Sequence, residues 1–152
     1  MIDTAMTRSL ELGEVLSQKE LEKVFDTNFG YQIRGINLRT VGDERFVILL
    51  LNRGEVYADK IDAGRTFSYI GEGLPEKGDQ PKTSANQALI DAIDDPVPIY
   101  LFTSEDGVDK YSYEGVVRVD SFEYTSNGER MVYEFEMQKL GEPNWQAATN
   151  DG

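Results

Sequence analysis

Phe46-Val-Ile-Leu-Leu-Leu51 is an unbroken apolar run, and its reading decides what kind of fold the chain adopts. It is far shorter than the ~18 residues needed to cross a bilayer. Its length suits a strand, and residues of both parities are apolar. Both of its faces should therefore be buried, which marks a central strand of a sheet. Working outward, Tyr31, Ile33 and Ile36-Asn-Leu38 read as strand, as does Arg45–Leu51, with Gly42-Asp43 as the turn between them. Arg65–Ile70 is a further short strand. Later come Val97–Thr103, Lys110–Asp120 and Glu129–Leu140, separated by turns at Asp106-Gly107 and Asn127-Gly128. Apolar and acidic residues alternate in Met131-Val-Tyr-Glu-Phe-Glu-Met137, so one face of that strand meets water.

Two helices complete the pattern. Ser17-Gln-Lys-Glu20 has the form of a capping box, and Leu21, Val24 and Phe25 follow at helical spacing. The spacing predicts a helix over 18–26, ended by Asn28 and Gly30. Ser84 can cap a second helix reaching about Ile93, with Ala88, Leu89, Ala92 and Ile93 on its apolar side, and Asp94-Asp95-Pro96 stops it. Between the fourth strand and this helix, Gly71–Thr83 holds Gly71, Gly73, Pro75, Gly78 and Pro81 and reads as a long loop. Residues 1–16 read as a flexible arm, 17–141 as one domain, and 142–152 as a tail whose Trp145 folds back. The fold class expected is α+β, mostly β: an antiparallel sheet forming a partly closed barrel, with two short helices.

Composition narrows the chemistry. There is no His and no Cys, which removes His-based triads, HNH chemistry, thiolate nucleophiles, disulfides and the usual zinc sites. Neither a Walker A sequence nor Gly-x-Ser-x-Gly occurs, and Gly71-Glu-Gly73 opens no helix. Carboxylates could hold Mg²⁺, with Asp59, Asp62, Glu72 and Asp79 as candidates, but Glu136-Met-Gln-Lys139 lacks the Glu-x-Lys spacing of metal-dependent nucleases. No cofactor or metal is expected. The N-terminus has no basic flank before an apolar stretch, so a cytoplasmic location without membrane attachment is expected. Lys and Arg number 15 against 28 Asp and Glu, a net charge of −13. Such a surface repels nucleic acid unless the contact face is locally basic or the protein works in concentrated salt, as in a halophile, where the Debye length is about 3 Å at 1 M.

The segment from Tyr57 to Gly73 is the most unusual of the chain. Two tyrosines stand twelve positions apart, with Asp59 and Asp62 between them and a glycine pair after the second. A base turned out of a duplex needs such parts: aromatics on its two faces, a carboxylate for an exocyclic amine, and backbone exposed by glycine for the remaining edge. The plainer reading is a surface hairpin with Tyr57 and Tyr69 half-buried in the sheet.

The run Phe67-Ser-Tyr69-Ile-Gly71-Glu-Gly73, then Gly78-Asp79-Gln80, then Asn86-Gln-Ala-Leu89, resembles the signature of the SRA (SET- and RING-associated, or YDG) domains. The likeness is greatest to SRA-like domains of prokaryotic modification-dependent restriction proteins. Pro98-Ile-Tyr-Leu-Phe102 and Tyr113-Glu-Gly115 resemble later strands of that family, and the likeness covers residues 30–140. It implies a PUA-like barrel that flips 5-methylcytosine or 5-hydroxymethylcytosine into an aromatic pocket. That pocket would comprise Tyr57, Asp59, Asp62, Tyr69, Ile70, Gly71, Glu72 and Gly73. Tyr57 and Tyr69 would stack on the base, backbone of Ile70 and Gly71 would meet its edge, and Asp59 or Asp62 would read its Watson–Crick face. The sequence departs from the pattern at Ile70, where the family has Thr, and at Lys60, where an ungapped alignment expects Asp.

The resemblance further implies a non-catalytic targeting module of a restriction system, with double-stranded modified DNA as partner. An HNH or other nuclease, as a domain or a separate chain, and a homodimer are the remaining partner expectations. Arg34, Arg39, Arg65, Lys77, Gln80, Lys82 and Asn86 are the candidate DNA contacts. Arg34, Arg39, Arg45, Arg53 and Arg65 cluster in the first half, where phosphate contact and scattered surface charge are alternative readings. Asn86 either holds the loop through a backbone hydrogen bond or lies on an exposed helix face. The other function classes are a Mg²⁺-dependent nuclease and a PUA-like module for RNA or a protein.

Overall fold

The computed structural model describes residues 10–28, 35–41, 44–52, 66–71, 78–104 and 108–140. Tyr31, Ile33, the Gly42-Asp43 and Asp106-Gly107 turns, and the tail with Trp145 lie outside the described residues. Seven strands and two helices follow one another as β1 (Val15–Leu16), α1 (Gln18–Phe25), β2 (Ile36–Val41), β3 (Glu44–Asn52), β4 (Thr66–Ile70), α2 (Ser84–Asp94), β5 (Ile99–Ser104), β6 (Tyr111–Ser126) and β7 (Met131–Lys139).

The strands form one sheet in the order β2-β3-β5-β6-β7-β4, with β1 paired to the start of β6. Every pairing is antiparallel except β3 with β5, which is parallel. Among the described residues the sheet is not closed, and its two ends are β2 and β4. β6 pairs with β5 through its first half and with β7 through its second, and it carries two irregularities. Leu101 faces Gly115 and Phe102 faces Tyr113, so Glu114 is an extra residue, and Gly115 there has a φ of 96°. Asp120 is extra in the same way against β7. Bulges bend a strand and sharpen its twist, and here they curl one long strand around the core. The second bulge also absorbs Asp120 and Ser121, polar residues that suggested an end at 120, and β6 continues to Ser126.

β3 is buried on both faces, as its composition demands. Val47, Leu49 and Leu51 join a core between the sheet and α2, with Phe67, Tyr69, Leu89, Leu101, Tyr133 and Phe135. Phe46 and Ile48 join a second core with Leu10, Leu16, Leu21, Phe25, Tyr100, Phe102 and Tyr113. Phe25 anchors α1 there, its ring 5.0 Å from that of Tyr100 and 5.7 Å from that of Phe46. Ser17 makes the full capping box, accepting from the Glu20 amide at 3.2 Å while the Glu20 carboxylate accepts from the Ser17 amide at 2.9 Å. α1 ends earlier than Asn28, because Asp26 takes the left-handed conformation with φ 51°, which a short polar side chain tolerates better than most. α2 begins one residue earlier than expected: Thr83, not Ser84, accepts from the Asn86 amide at 3.1 Å.

The stretch before α1 packs more than its sequence suggests. Leu10 is 1% exposed, and β1 pairs with Tyr111 and Ser112. Leu10 and Leu16 thus dock on the second core, within the stretch expected to form a loose arm. Two separated leucines show no period, so only the tertiary partner reveals their role.

Candidate functional site

The sheet's open side is bridged by a side chain. The hydroxyl of Tyr69, on the terminal strand β4, donates to the Leu50 carbonyl of β3 at 2.9 Å. β3 stands next to β2 at the opposite end of the sheet order. Gly35 makes room for this reach, since a Cβ there would stand 3.1 Å from the phenol oxygen. The Gly35 carbonyl in turn accepts from the Leu50 amide at 2.7 Å. Tyr69 is 7% exposed, and its ring is shared between the core and this seam.

β4 offers its backbone to the same seam. Ile70 lies opposite Glu134, and at the next position Gly71 donates to the Tyr133 carbonyl at 2.7 Å. Antiparallel pairs alternate between bonded and non-bonded, so the Ile70 N–H and C=O point away from β7, to the sheet's outer edge. Ile70 can therefore present a donor and an acceptor to a planar edge, while Gly71 is already engaged.

The Gly71 rung is unusual. An ordinary ladder would close it with a second bond, from the Tyr133 amide to the Gly71 carbonyl. Instead the side-chain amide of Gln80 stands between the two. Gln80 Oε1 accepts from the Tyr133 amide at 2.8 Å, and Gln80 Nε2 donates to the Gly71 carbonyl at 2.8 Å. Around it the loop is pinned repeatedly. The Gln80 amide donates to the Met131 carbonyl at 2.8 Å, and the Asp79 carboxylate accepts from the Met131 amide at 2.7 Å. Arg130 Nη1 donates to the Gly78 carbonyl at 3.0 Å, and the Tyr124 hydroxyl donates to the Gln80 carbonyl at 3.1 Å. Asn86, wholly buried, donates from Nδ2 to the Pro81 carbonyl at 3.0 Å. Its Oδ1 lies 2.5 Å from where a Cβ on Gly71 would stand, so position 71 accepts only glycine without movement. Gly71, Gly78-Asp79-Gln80 and Asn86 meet Met131 and Tyr133, some fifty positions on, in one clasp.

No protein-family profile matches the sequence, and no curated protein matches it. Solved structures do match. The SUVH5 SRA domain in complex with methylated CHH DNA aligns with a TM-score of 0.60 and 20% identity, over 89% of this chain and 98% of that one. The same domain bound to fully hydroxymethylated CG DNA aligns at 0.63 and 22%, over 91% and 95%. The chain has the SRA fold. Arabidopsis thaliana SUVH6 in complex with SAM aligns at 0.65 and 19%, over 91% of this chain, which spans only 28% of that one.

In this SRA fold the expected site residues fall into three groups. Tyr69, Ile70 and Gly71 lie together at the seam, with Gln80 and Asn86 behind them. Gln80 is 2% exposed and Asn86 fully buried, so both hold the loop from inside where DNA contacts were expected. Asn86 follows the first of its two readings. Lys82 is exposed beside the clasp. Arg39 lies elsewhere, donating to the Leu38 carbonyl at 2.7 Å and the Asn28 carbonyl at 3.3 Å, on a groove of about 760 Å³ between β2–β3 and α2 that also has Asp91, Asp94 and Asp95 in its wall. Arg45 shares that groove and is 3.9 Å from the Asp95 carboxylate, so this side is not a uniformly basic phosphate track. Tyr57, Asp59, Asp62, Glu72, Gly73, Arg34, Arg53, Arg65 and Lys77 lie outside the described residues.

Tyr124 and Phe122 were not singled out in the sequence, and Asp79 and Glu114 take other roles than those considered there. Asp79, considered above as a cation ligand, instead holds the Met131 amide, and among the described residues no three acidic groups gather as a metal site. Tyr124 and Phe122, 41% and 39% exposed, continue the aromatic face of Tyr133 and Phe135 toward solvent. Their spacing opposite those residues was the available signal. Partial burial, the Asp79 carboxylate and Tyr133 together push the Tyr124 phenol pKa upward, so it stays a hydrogen-bond donor at neutral pH. The Tyr113-Glu-Gly115 motif is the first bulge: Glu114 accepts from Thr103 at 3.0 Å and from Lys139 at 3.1 Å.

Proposed function

We propose that this chain reads a modified cytosine, 5-methylcytosine or 5-hydroxymethylcytosine, in double-stranded DNA by turning the base into the seam beside Tyr69. The observation that carries this reading is the SRA fold, shared with domains solved on methylated and hydroxymethylated DNA, together with a seam whose edge strand offers Ile70 backbone. Tyr69 supplies one stacking face and Tyr57 the other. Ile70 contacts the base edge, and Asp59 or Asp62 reads the Watson–Crick face. Glu72 and Gly73 continue the rim, and Lys82, with Arg34, Arg65 and Lys77, meets phosphate.

The domain does no chemistry of its own in this reading. It is the targeting module of a modification-dependent restriction system, and a nuclease domain or partner makes the cut. The net charge of −13 fits a reader that depends on the flipped base more than on phosphate. Such a protein makes few phosphate contacts, and its affinity falls only shallowly with salt.

The test is equilibrium binding to matched duplexes bearing cytosine, 5-methylcytosine, 5-hydroxymethylcytosine or N6-methyladenine, at low and high salt. The expected result is a preference of about tenfold or more for a modified cytosine, since one base-pair distinction is worth about 1–3 kcal/mol. A fluorescent base analogue opposite the modified position should brighten on binding. Equal affinity for all four duplexes overturns the reading.

A further inference from the structure

We propose that Gln80 is a positioning residue for base recognition: its buried amide sets the gap between β4 and β7, and so fixes the backbone that meets the base. This rests on the reading above. The support is geometric. The side chain bonds to Gly71 of β4 on one side and Tyr133 of β7 on the other. Gly71 directly follows Ile70, whose peptide groups face the seam. The rung keeps its direct bond from the Gly71 amide to the Tyr133 carbonyl, and its second backbone bond is replaced by two bonds through an inserted amide, so β4 is held off β7 on the carbonyl side of Gly71. The loop that carries Gln80 is itself fastened to β7, at Met131, and to β6 through the Tyr124 hydroxyl. The gap is therefore set by a braced side chain rather than by a loose one.

The bond pattern makes the role separable from mere packing. Gln80 donates to a carbonyl and accepts from an amide N–H. A neutral carboxylic acid of nearly the same shape also has one donor and one acceptor, whereas a carboxylate only accepts. Ionised, it would set a negative oxygen against the Gly71 carbonyl. Burial and that carbonyl both disfavour the charged form, which raises the acid's pKa. Gln80→Glu should thus behave like the parent when protonated and lose its grip when ionised. The other charged or titratable groups around this position, among the described residues, are Asp79 and Lys82 on its own loop, Tyr124 on β6, Arg130 in the β6–β7 turn, and Tyr133 and Glu134 on β7.

The measurement is the ratio of dissociation constants for unmodified and 5-methylcytosine duplexes, for the parent chain and Gln80→Glu, at pH 5.5 and pH 8, with folding followed by circular dichroism. The parent ratio should be the same at both pH values within about twofold. The variant ratio should fall by about tenfold at pH 8, the equivalent of one charge-assisted contact, and recover to within about threefold of the parent at pH 5.5. A folded variant that stays deficient at pH 5.5, or that keeps the parent ratio at pH 8 with its carboxyl ionised, overturns the positioning role and leaves the base-reading proposal standing; with the carboxyl still neutral at pH 8, Tyr124→Phe decides. A parent chain with no preference overturns both. If Gln80→Glu does not fold at pH 8, Tyr124→Phe decides. That change at a partly exposed site removes the hydroxyl holding the Gln80 carbonyl, and a ratio lowered by about threefold supports the role while an unchanged ratio overturns it.

Discussion

Tyr69 and Leu50 are joined by a 2.9 Å hydrogen bond that links strands near opposite ends of one sheet. The phenol does two things there: its ring fills core volume and its hydroxyl spans the seam. Tyr69→Phe separates them. It should cost about 0.5–1.5 kcal/mol, the net worth of one hydrogen bond, as read by urea unfolding, and leave most of the preference for modified duplex. Tyr69→Ala should cost about 3–5 kcal/mol as a buried aromatic deletion and abolish the preference. Equal loss of preference in both variants would show that the hydroxyl, not the ring, carries recognition.

Gly71→Ala tests the clasp. The new methyl would meet Asn86 Oδ1 at 2.5 Å and Tyr133 Cβ at 3.1 Å. The Asn86 amide can swing, but only by giving up Pro81, and Tyr133 is held in the sheet. The expected cost is about 1–3 kcal/mol, the range for overpacking. In a double-mutant cycle with Asn86→Ala the two losses should be less than additive by at least about 0.5 kcal/mol. Strict additivity would place the strain elsewhere.

Alkaline pH should unfold the chain through Tyr113. Burial, and secondarily Tyr100, push its phenol well above the ordinary value of 10.0. The unfolded chain therefore releases this proton first as pH rises, and the folded state binds more protons above pH 10. Stability from this group is fully present below pH 10 and declines above it, by about 1.4 kcal/mol per pH unit. Unfolding free energies measured between pH 7 and 11 should be flat and then fall, and Tyr113→Phe should shallow the fall. An unchanged alkaline slope in that variant would assign the loss to other groups.

The helix α1 should be separable from base reading. Ser17→Ala removes the acceptor of the Glu20 amide and should cost about 1 kcal/mol, whereas Phe25→Ala should cost about 3–5 kcal/mol through the second core. Thermal unfolding gives both values. The ratio of affinities for modified and unmodified duplex should be unchanged in Ser17→Ala, because α1 packs away from the Tyr69 seam.

The strands and helices were legible because their signals are local. The double-faced apolar run of β3, the Ser17–Glu20 box and the alternation in β7 each declare themselves within a few residues. So did the grouping of Tyr69, Ile70 and Gly71. Gln80 was not legible in the same sense. A polar residue in a Gly- and Pro-rich loop reads as exposed, and its burial depends on Gly71 and Tyr133, nine and 53 positions away. The parallel β3–β5 pairing escapes notice for the same reason, as does the docking of Leu10 and Leu16. Local periodicity reports which face of an element is apolar. It does not report what will come to cover a polar group.

The clasp also fixes when the molecule becomes competent. The Gln80 backbone N–H and Oε1 reach their partners here only once Met131 and Tyr133 exist, and β7 is the last strand among the described residues. On the ribosome, the loop would wait through some fifty residues of synthesis with its amide unplaced. A chain interrupted before β7 could hold the β2–β3 hairpin and α1, but not the Gly71 rung. A truncated product would lack the bonds from Gln80 to β7, so the clasp closes only when nearly all of the described sheet has been made.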